Sequence, residues 1–307
     1  MLVATFNLYN ATYDMDNSDY LGSLSSTLAK LLAKEQDLSV FLFQELMGKG
    51  ENKDYLEWVK WLENLAIRII NNKYPCYYSV DCAYLGGPKS RSEWSGCIVI
   101  SKYRINLSSD AHEIDTREIT NQSKVRYRNA LRNIKKAEIE KINNPKYKLR
   151  GMPELNMRNI LKRARKKSPT FEHSWFRKYA LFTIEIKIDN FNARAFTIAS
   201  AHCPGPNFSQ KLQEIPRAYL DSMKTSNPDF IVGDFNTDDK LSLIGYEESQ
   251  VENTTISNNN RKYDRILFKM RNYKPKLCGC LSPTFQKNNN SFENRYFSDH
   301  MCVWCKF

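Results

Sequence analysis

The sequence predicts an α/β fold of four layers, in which two mixed β-sheets pack face to face and helices cover their outer faces. Three observations lead there. Strand-like and helix-like segments alternate along most of the 307 residues. Hydrophobic residues make up 41% of the chain and aromatics 12%, enough for a sizeable packed core. No linker-like stretch or short-period repeat interrupts the pattern, so residues 1–307 read as one domain.

MLVATFNLYN opens as a strand. YLGSLSSTLAKLLAKE places Leu21, Leu24, Leu28, Leu31 and Leu32 at helical spacing. LSVFLFQEL is an apolar run bounded by Gln44-Glu45 and reads as a buried strand. DYLEWVKWLENLAIRIINNKY is a second amphipathic helix, and YYSVDCAYL and SGCIVISKY are two further strands. KYALFTIEIKI and ARAFTIASAH alternate apolar and polar residues and pair as a hairpin through DNFN. A helix over SQKLQEIPRAYLDSMK, the strand DFIVGDFN, and the strands KYDRILFK and HMCVWCKF complete the chain.

Between the two halves lies a basic insertion at about 117–176. From Arg117 to Lys178 there are 19 Lys/Arg and 5 Asp/Glu, while the formal net charge of the chain is +12. All the excess positive charge therefore sits in this segment. Its pieces RNALRNIKKAEIEKI and ELNMRNILKRARKK have helical character, broken at Pro145, Gly151 and Pro153. A basic block beside a near-neutral body favours a polyanionic partner, nucleic acid first. A solvated insertion that only aids solubility is the plainer alternative.

No apolar run approaches the roughly 20 residues of a membrane helix, and the N-terminus has no basic region followed by a long apolar one. The expectation is a soluble protein of the cytoplasm or nucleus, although a processed form whose signal was removed would look the same. The eight cysteines are too few for a disulfide scaffold at this length. Cys278, Cys280, Cys302 and Cys305 invite a zinc reading, but Cys302 and Cys305 face opposite sides of a strand. Core thiols or one disulfide are expected instead, with Cys97 a buried thiol.

Polar residues gather where the apolar strands end: Asn7, Glu45, His202, Asp234 with Asn236, Asp264, and Asp299-His300. Singly, each has a plainer explanation as a turn residue, a cap or a satisfied structural histidine. Together they occupy the place where α/β folds build sites. Asp234 and Asn236, two positions apart, can point to one side of an extended chain, with Phe235 turned away as packing. Asp238 and Asp239 read as the solvated turn beyond. Carboxylates and amides make a hard oxygen site suited to Mg²⁺ or Mn²⁺. Two histidines oriented by acids supply a general base and a phosphate-stabilising donor. The sequence has neither a Walker loop nor a Gly-x-Ser-x-Gly elbow, so no nucleotide cofactor is expected.

The pieces TFNLYN, LFQEL, ASAH, VGDFNTD, YDRILF and FSDH resemble, in order, the motifs of the endonuclease/exonuclease/phosphatase superfamily. YDRI and WFRKYALFTIEI are most similar to its deoxyribonuclease I-like branch. The resemblance implies that Glu45 is the main Mg²⁺ ligand, with Asn7 beside it and Asp299 a metal or outer ligand; Mn²⁺ and Ca²⁺ are alternative ions. It makes His300 the catalytic base, Asp264 the acid orienting it, and His202 the donor to the phosphate or leaving group, with Glu93 its partner. Asp234 and Asn236 position nucleophile and phosphate, and Arg177 contacts phosphate. Leu8-Tyr9 after Asn7, and His202 in place of a tyrosine, disfavour abasic-site repair. The implied activity is metal-dependent phosphodiester hydrolysis of nucleic acid, DNA before RNA, as an endonuclease. A phosphatase or phosphodiesterase on inositol phosphates or phospholipids, and an RNA-directed nuclease, are the alternatives. A non-catalytic binding protein is disfavoured because the catalytic residues are all present. That branch has no such basic insertion. The segment is expected to emerge near the active face and clamp nucleic acid, with Lys162, Arg163, Arg165, Lys166 and Lys167 as its strongest stripe. The same hexamer would also serve as a nuclear-localisation signal.

Overall fold

The computed structural model describes residues 1–12, 18–48, 51–71, 76–87, 92–143, 156–167, 178–189, 192–204, 214–251, 254–255, 261–283 and 298–307. The strands are β1 (Leu2–Thr12), β2 (Leu38–Gly48), β3 (Tyr77–Gly86), β4 (Ser92–Ser101), β5 (Arg104–Glu113), β6 (Lys178–Lys187), β7 (Ala193–His202), β8 (Phe230–Asp234), β9 (Tyr246–Glu248), β10 (Asp264–Lys269), β11 (Leu277–Leu281) and β12 (Cys302–Lys306). The helices are α1 (Ser18–Leu32), α2 (Glu51–Ile70), α3 (Arg117–Asn143), α4 (Met157–Lys167) and α5 (Glu214–Thr225).

Two six-stranded sheets result, ordered β11-β12-β1-β2-β4-β3 and β5-β6-β7-β8-β10-β9. Each is mixed. The parallel pair β1/β2 is central to the first and β7/β8 to the second, and the other pairs are antiparallel. Each parallel pair is joined through a helix, α1 in one sheet and α5 in the other, as parallel strands require.

Three apolar interfaces match the four layers. Leu24, Leu28, Trp58 and Leu62 of α1 and α2 pack on Phe6, Phe41 and Phe43 of the first sheet. Between the sheets lie Val40, Leu42, Val99, Phe182, Ile198, Val232 and Ile266. Tyr219 and Met223 of α5 cover Ala199, Ile231 and Leu267 on the far side of the second sheet. Alternation along each strand divides its residues between two interfaces: on β1, Ala4 and Phe6 face the helices and Val3 faces the other sheet.

Three strands have no counterpart in the expected elements: β5, β9 and β11. All three are sheet edges. β5, RINLSSDAHE, has no buried residue, so it lacks the apolar run that marks a strand. Cys278 and Cys305, opposite each other on β11 and β12, form a disulfide. Cys302 faces α1 and α2, and Cys97 is buried between the sheets. No helix among the described residues is long and apolar enough to cross a membrane.

The basic insertion forms a helical arm. α3 and α4 pack on each other through Ile134, Ile160 and Ala164, with Tyr127 and Leu131 alongside. The breaking residues Pro145, Gly151 and Pro153 lie outside the described residues.

Candidate active site

The inter-sheet face of the sandwich changes character along its length. Its middle is apolar. Toward one end it becomes a layer of hydroxyls and one amide: Thr5 donates to Gln44 Oε1 at 3.1 Å, Gln44 Nε2 donates to Ser200 Oγ at 3.1 Å, and Ser95 Oγ donates to Ser200 Oγ at 3.0 Å. One step further along the same strand faces stand Asn7, Glu93, His202, Asp234 and Asp264. Each keeps the parity of its inward-facing apolar residues: Val3 with Asn7, Cys97 with Glu93, Ile198 with His202, Val232 with Asp234, Ile266 with Asp264. The candidate site is thus the polar end of the inter-sheet core. All five side chains are buried.

Glu45 reaches this face by a local irregularity. On β2, Phe43 pairs with Gly96 and Leu46 with Trp94, so β2 carries one residue more than β4 between the two pairs. Glu45 occupies this bulge in the left-handed region, φ 58°. The extra residue lets Glu45 join Asn7 and His202 directly after Gln44, where strict alternation would have turned it to the other face.

The contacts cross between the sheets. Asn7 Nδ2 donates to Glu45 Oε1 at 3.2 Å and to Asp234 Oδ2 at 3.0 Å. His202 Nδ1 lies 2.7 Å from Glu93 Oε1, and its Nε2 is 3.2 Å from Glu45 Oε1. His300 Nδ1 lies 2.8 Å from Asp264 Oδ2. The two Nε2 atoms then flank one oxygen: Asp234 Oδ2 is 3.6 Å from His300 Nε2 and 3.9 Å from His202 Nε2. Burial alone would lower the His202 imidazole, but Glu93, Glu45 and Asp234 outweigh it and raise it to about 10. His300 behaves alike: burial lowers it, and Asp264, Asp234 and Asp299 raise it to about 10. Burial lifts Asp234 to about 6 against the pull of both imidazoles.

The connecting loops hold these groups rigidly. Asn236 adopts φ 49°, its amide N–H donates to Asp234 Oδ1 at 2.8 Å, and its Nδ2 donates to the Cys203 carbonyl at 2.9 Å. Ser298 Oγ donates to the Asn7 carbonyl at 2.8 Å and accepts from the His300 N–H at 3.0 Å, tying the Ser298-Asp299-His300 turn to β1. Phe235 is buried against α5, while Asp238 and Asp239 are exposed, as expected from the sequence.

The residues fit a hard divalent cation. Asp264 Oδ1 and Asp299 Oδ1 are buried with no hydrogen-bond partner among the described residues, and Asp299 Oδ1 lies 3.7 Å from His300 Nε2, so both carboxylate oxygens keep acceptor capacity for a cation. Asp234, Asp264 and His300 also offer ligand atoms all within 4.8 Å of one another. The short His300–Asp264 contact is better used as a hydrogen bond, because Mg²⁺ selects oxygen over imidazole nitrogen. Of the residues singled out in the sequence, Asn7, Glu45, Glu93, His202, Asp234, Asn236, Asp264, Asp299 and His300 are therefore brought together. Arg177 lies outside the described residues. Lys162, Arg163, Arg165, Lys166 and Lys167 lie on α4, where Arg163 pairs with Glu138 of α3.

Arg265 is a supporting residue that the sequence alone did not single out. It follows Asp264 on β10, so it points away from the site, and it is fully buried there. Its Nη2 donates to the Thr237 carbonyl at 2.7 Å and the Asp239 carbonyl at 3.2 Å, and its Nη1 pairs with Glu248. It grips from behind the loop that holds Asn236 in its left-handed conformation. Arg265→Met leaves the buried Thr237 carbonyl without its donor and Glu248 without its buried cation, and is expected to destabilise the protein by about 3 kcal/mol. A denaturant titration checks this, and a change under about 0.5 kcal/mol would assign the loop's order to other contacts.

No family model matches the chain, and no curated protein matches it in sequence. Solved structures do match in fold. A conserved protein of unknown function from Enterococcus faecalis V583 superposes with a TM-score of 0.53 at 12% identity, covering 100% of this chain and 98% of its own. The mannosyl-6-phosphatase of Bacteroides thetaiotaomicron VPI-5482 gives 0.53 at 14%, with coverages of 100% and 98%. An endonuclease/exonuclease/phosphatase family protein from Bacteroides thetaiotaomicron gives 0.52 at 13%, with coverages of 99% and 93%. The chain therefore shares its fold with these three proteins, one of which is an endonuclease/exonuclease/phosphatase family protein.

Proposed function

We propose that this protein is a divalent-metal-dependent phosphodiesterase that hydrolyses nucleic acid, DNA before RNA, as an endonuclease. The observation that carries this reading is the pair of imidazoles, each backed by its own carboxylate, whose Nε2 atoms flank one buried carboxylate oxygen. Glu45 and Asp299, with Asn7, would hold Mg²⁺, or Mn²⁺ or Ca²⁺ in its place. When bound, the ion supplies positive charge against phosphate oxygens. His300, with Nδ1 donating to Asp264, presents Nε2 to take a proton from the attacking water. Asp264 and Asp234 raise His300 most and Asp299 adds to them, so a cation on Asp299 would remove the smallest of these charges, in the direction a neutral base needs. His202, held by Glu93, donates from Nε2 to the phosphate or leaving group. Asp234 and Asn236 position nucleophile and phosphate, Arg177 adds a phosphate contact, and the arm adds affinity through Lys162, Arg163, Arg165, Lys166 and Lys167.

The mannosyl-6-phosphatase among the fold neighbours favours a second reading, a phosphatase or phosphodiesterase acting on a smaller anion such as an inositol phosphate or phospholipid. A substrate panel separates the two. Supercoiled plasmid, RNA and a phosphoinositide are each incubated with the protein in Mg²⁺ or chelator. Cleavage of plasmid in Mg²⁺ alone is expected. Phosphate release from the lipid, with plasmid and RNA untouched, would establish the second reading.

A further inference from the structure

The arm is built to present one cationic ridge, and that ridge is on α3. Lys124, Arg128, Arg132 and Lys135 recur at i, i+4, i+8 and i+11, which places them on one helix face over about 16 Å. The opposite face carries the buried stripe Ile119, Ser123, Ala130 and Ile134. None of the four ridge cations has an acidic partner among the described residues. By contrast, Glu138 is taken up inside the arm by Arg163 and Lys141, and Arg126 pairs with Glu214. A solvated helix face ordinarily mixes both signs, yet Ile119–Ala137 holds six cations and no acid. Like charges at i, i+4 oppose helix formation, so the ridge is not explained by the helix's own stability.

Its position is set by two contacts with α5. The Asp115 N–H donates to Ser222 Oγ near the end of α5, and Arg126 pairs with Glu214 at its start. α3 therefore runs antiparallel to α5 and passes beyond its N-terminus. α5 follows β7, so that end is the one carrying His202 and Asp234. The 17 residues after Arg126, up to Asn143, extend the arm roughly 25 Å past this point. β6 also starts at this end, because Ala180 pairs with Ser200.

Resting on the nucleic-acid reading of the site, we infer that the outer face of α3 is a binding ridge for double-stranded DNA, lying along the major groove. A B-form major groove admits an α-helix and sets both flanks against phosphates, whereas the major groove of an RNA duplex is too narrow. Single strands are held on exposed aromatic platforms. The one aromatic of α3 and α4, Tyr127, packs inside the arm. The ridge gives affinity without sequence choice and lays the duplex toward the strand ends that hold the site.

The test uses the full chain carrying His300→Ala, in chelator, so that binding is read without cleavage. Affinity for a labelled DNA duplex is measured by anisotropy across salt concentrations. It is compared with the same chain also carrying Lys124→Gln, Arg128→Gln, Arg132→Gln and Lys135→Gln, after circular dichroism has shown equal helix content. Neutralising the ridge is expected to weaken duplex binding about 100-fold or more near physiological salt and to flatten the log–log salt slope by about 3. Arg128→Lys with Arg132→Lys, which keeps the charge, should retain the affinity. A loss under about threefold overturns the ridge, since four phosphate contacts carry more than that. An equal loss on double-stranded RNA or single-stranded DNA overturns the assignment to B-form duplex. Because nothing is cleaved, a protein that binds the duplex through the ridge but never hydrolyses it would refute the catalytic reading alone.

Discussion

His300→Ala is expected to lower kcat on a phosphodiester substrate by about 10²–10⁴-fold with little change in KM, because on the proposed mechanism the lost group acts on the proton in flight and does not hold the substrate. Asp264→Asn should approach the same loss while leaving the fold intact. Asp264 Oδ2 sits 2.8 Å from His300 Nδ1 and fixes which ring nitrogen carries the proton. An amide can hold the ring the other way round and close Nε2 to the incoming proton. The double variant should be little worse than His300→Ala alone, since residues acting as one unit are not additive. Steady-state kinetics on a small diester decides this. A His300→Ala protein that keeps more than about a tenth of the wild-type kcat would remove His300 from the chemistry.

Gly233→Ala should be among the most destabilising single changes available to the chain. Gly233 sits at φ 134°, a region that side chains rarely adopt. A Cβ there would lie 1.9 Å from the Ala201 carbonyl oxygen on the paired strand β7. That oxygen is backbone and cannot rotate away, so β7 and β8 would have to separate beside His202 and Asp234. A loss of about 3 kcal/mol or more is expected, combining conformational strain with broken pairing. Gly22→Ala is the control: the glycine lies within α1 with open space around it, so alanine should be neutral or stabilising by up to about 1 kcal/mol. Denaturant midpoints measure both. Equal effects at the two positions would mean that the strand end yields more easily than its packing implies.

The glycine of VGDFN thus has a purely steric reason to be there, and the same logic shows what the sequence made legible. The buried strands could be read because β2, β4 and β8 are apolar almost throughout. Their polar ends stood out against that background, which is why Asn7, His202, Asp234 and Asp264 could be picked out before any geometry. Glu93 was marked only by family resemblance, although the alternation Val99, Cys97, Ser95, Glu93 already placed it on the inter-sheet face. β5, β9 and β11 escaped because edge strands bury too little to need an apolar pattern. Arg265 escaped for another reason. A buried guanidinium is defined by the two carbonyls and the carboxylate that come to meet it, and nothing near it in sequence announces them. The bulge that turns Glu45 toward Asn7 depends on pairing with β4, so it too exists only once the sheet has formed. In the arm, the run Lys162–Lys167 was the densest basic stretch in sequence. Packing ties Arg163 to Glu138 and buries Ala164, and leaves on α3 the longer ridge, whose cations have no acidic partner among the described residues.

The decisive measurement is the nicking of supercoiled plasmid by the purified protein, followed in parallel with Mg²⁺, with chelator, and with His300→Ala in Mg²⁺. Conversion to open circles by the wild type in Mg²⁺, abolished by chelator and reduced at least about 100-fold by His300→Ala, is the predicted result. Nicking that persists in chelator, or at wild-type rate in His300→Ala, would contradict a metal-dependent phosphodiesterase centred on His300.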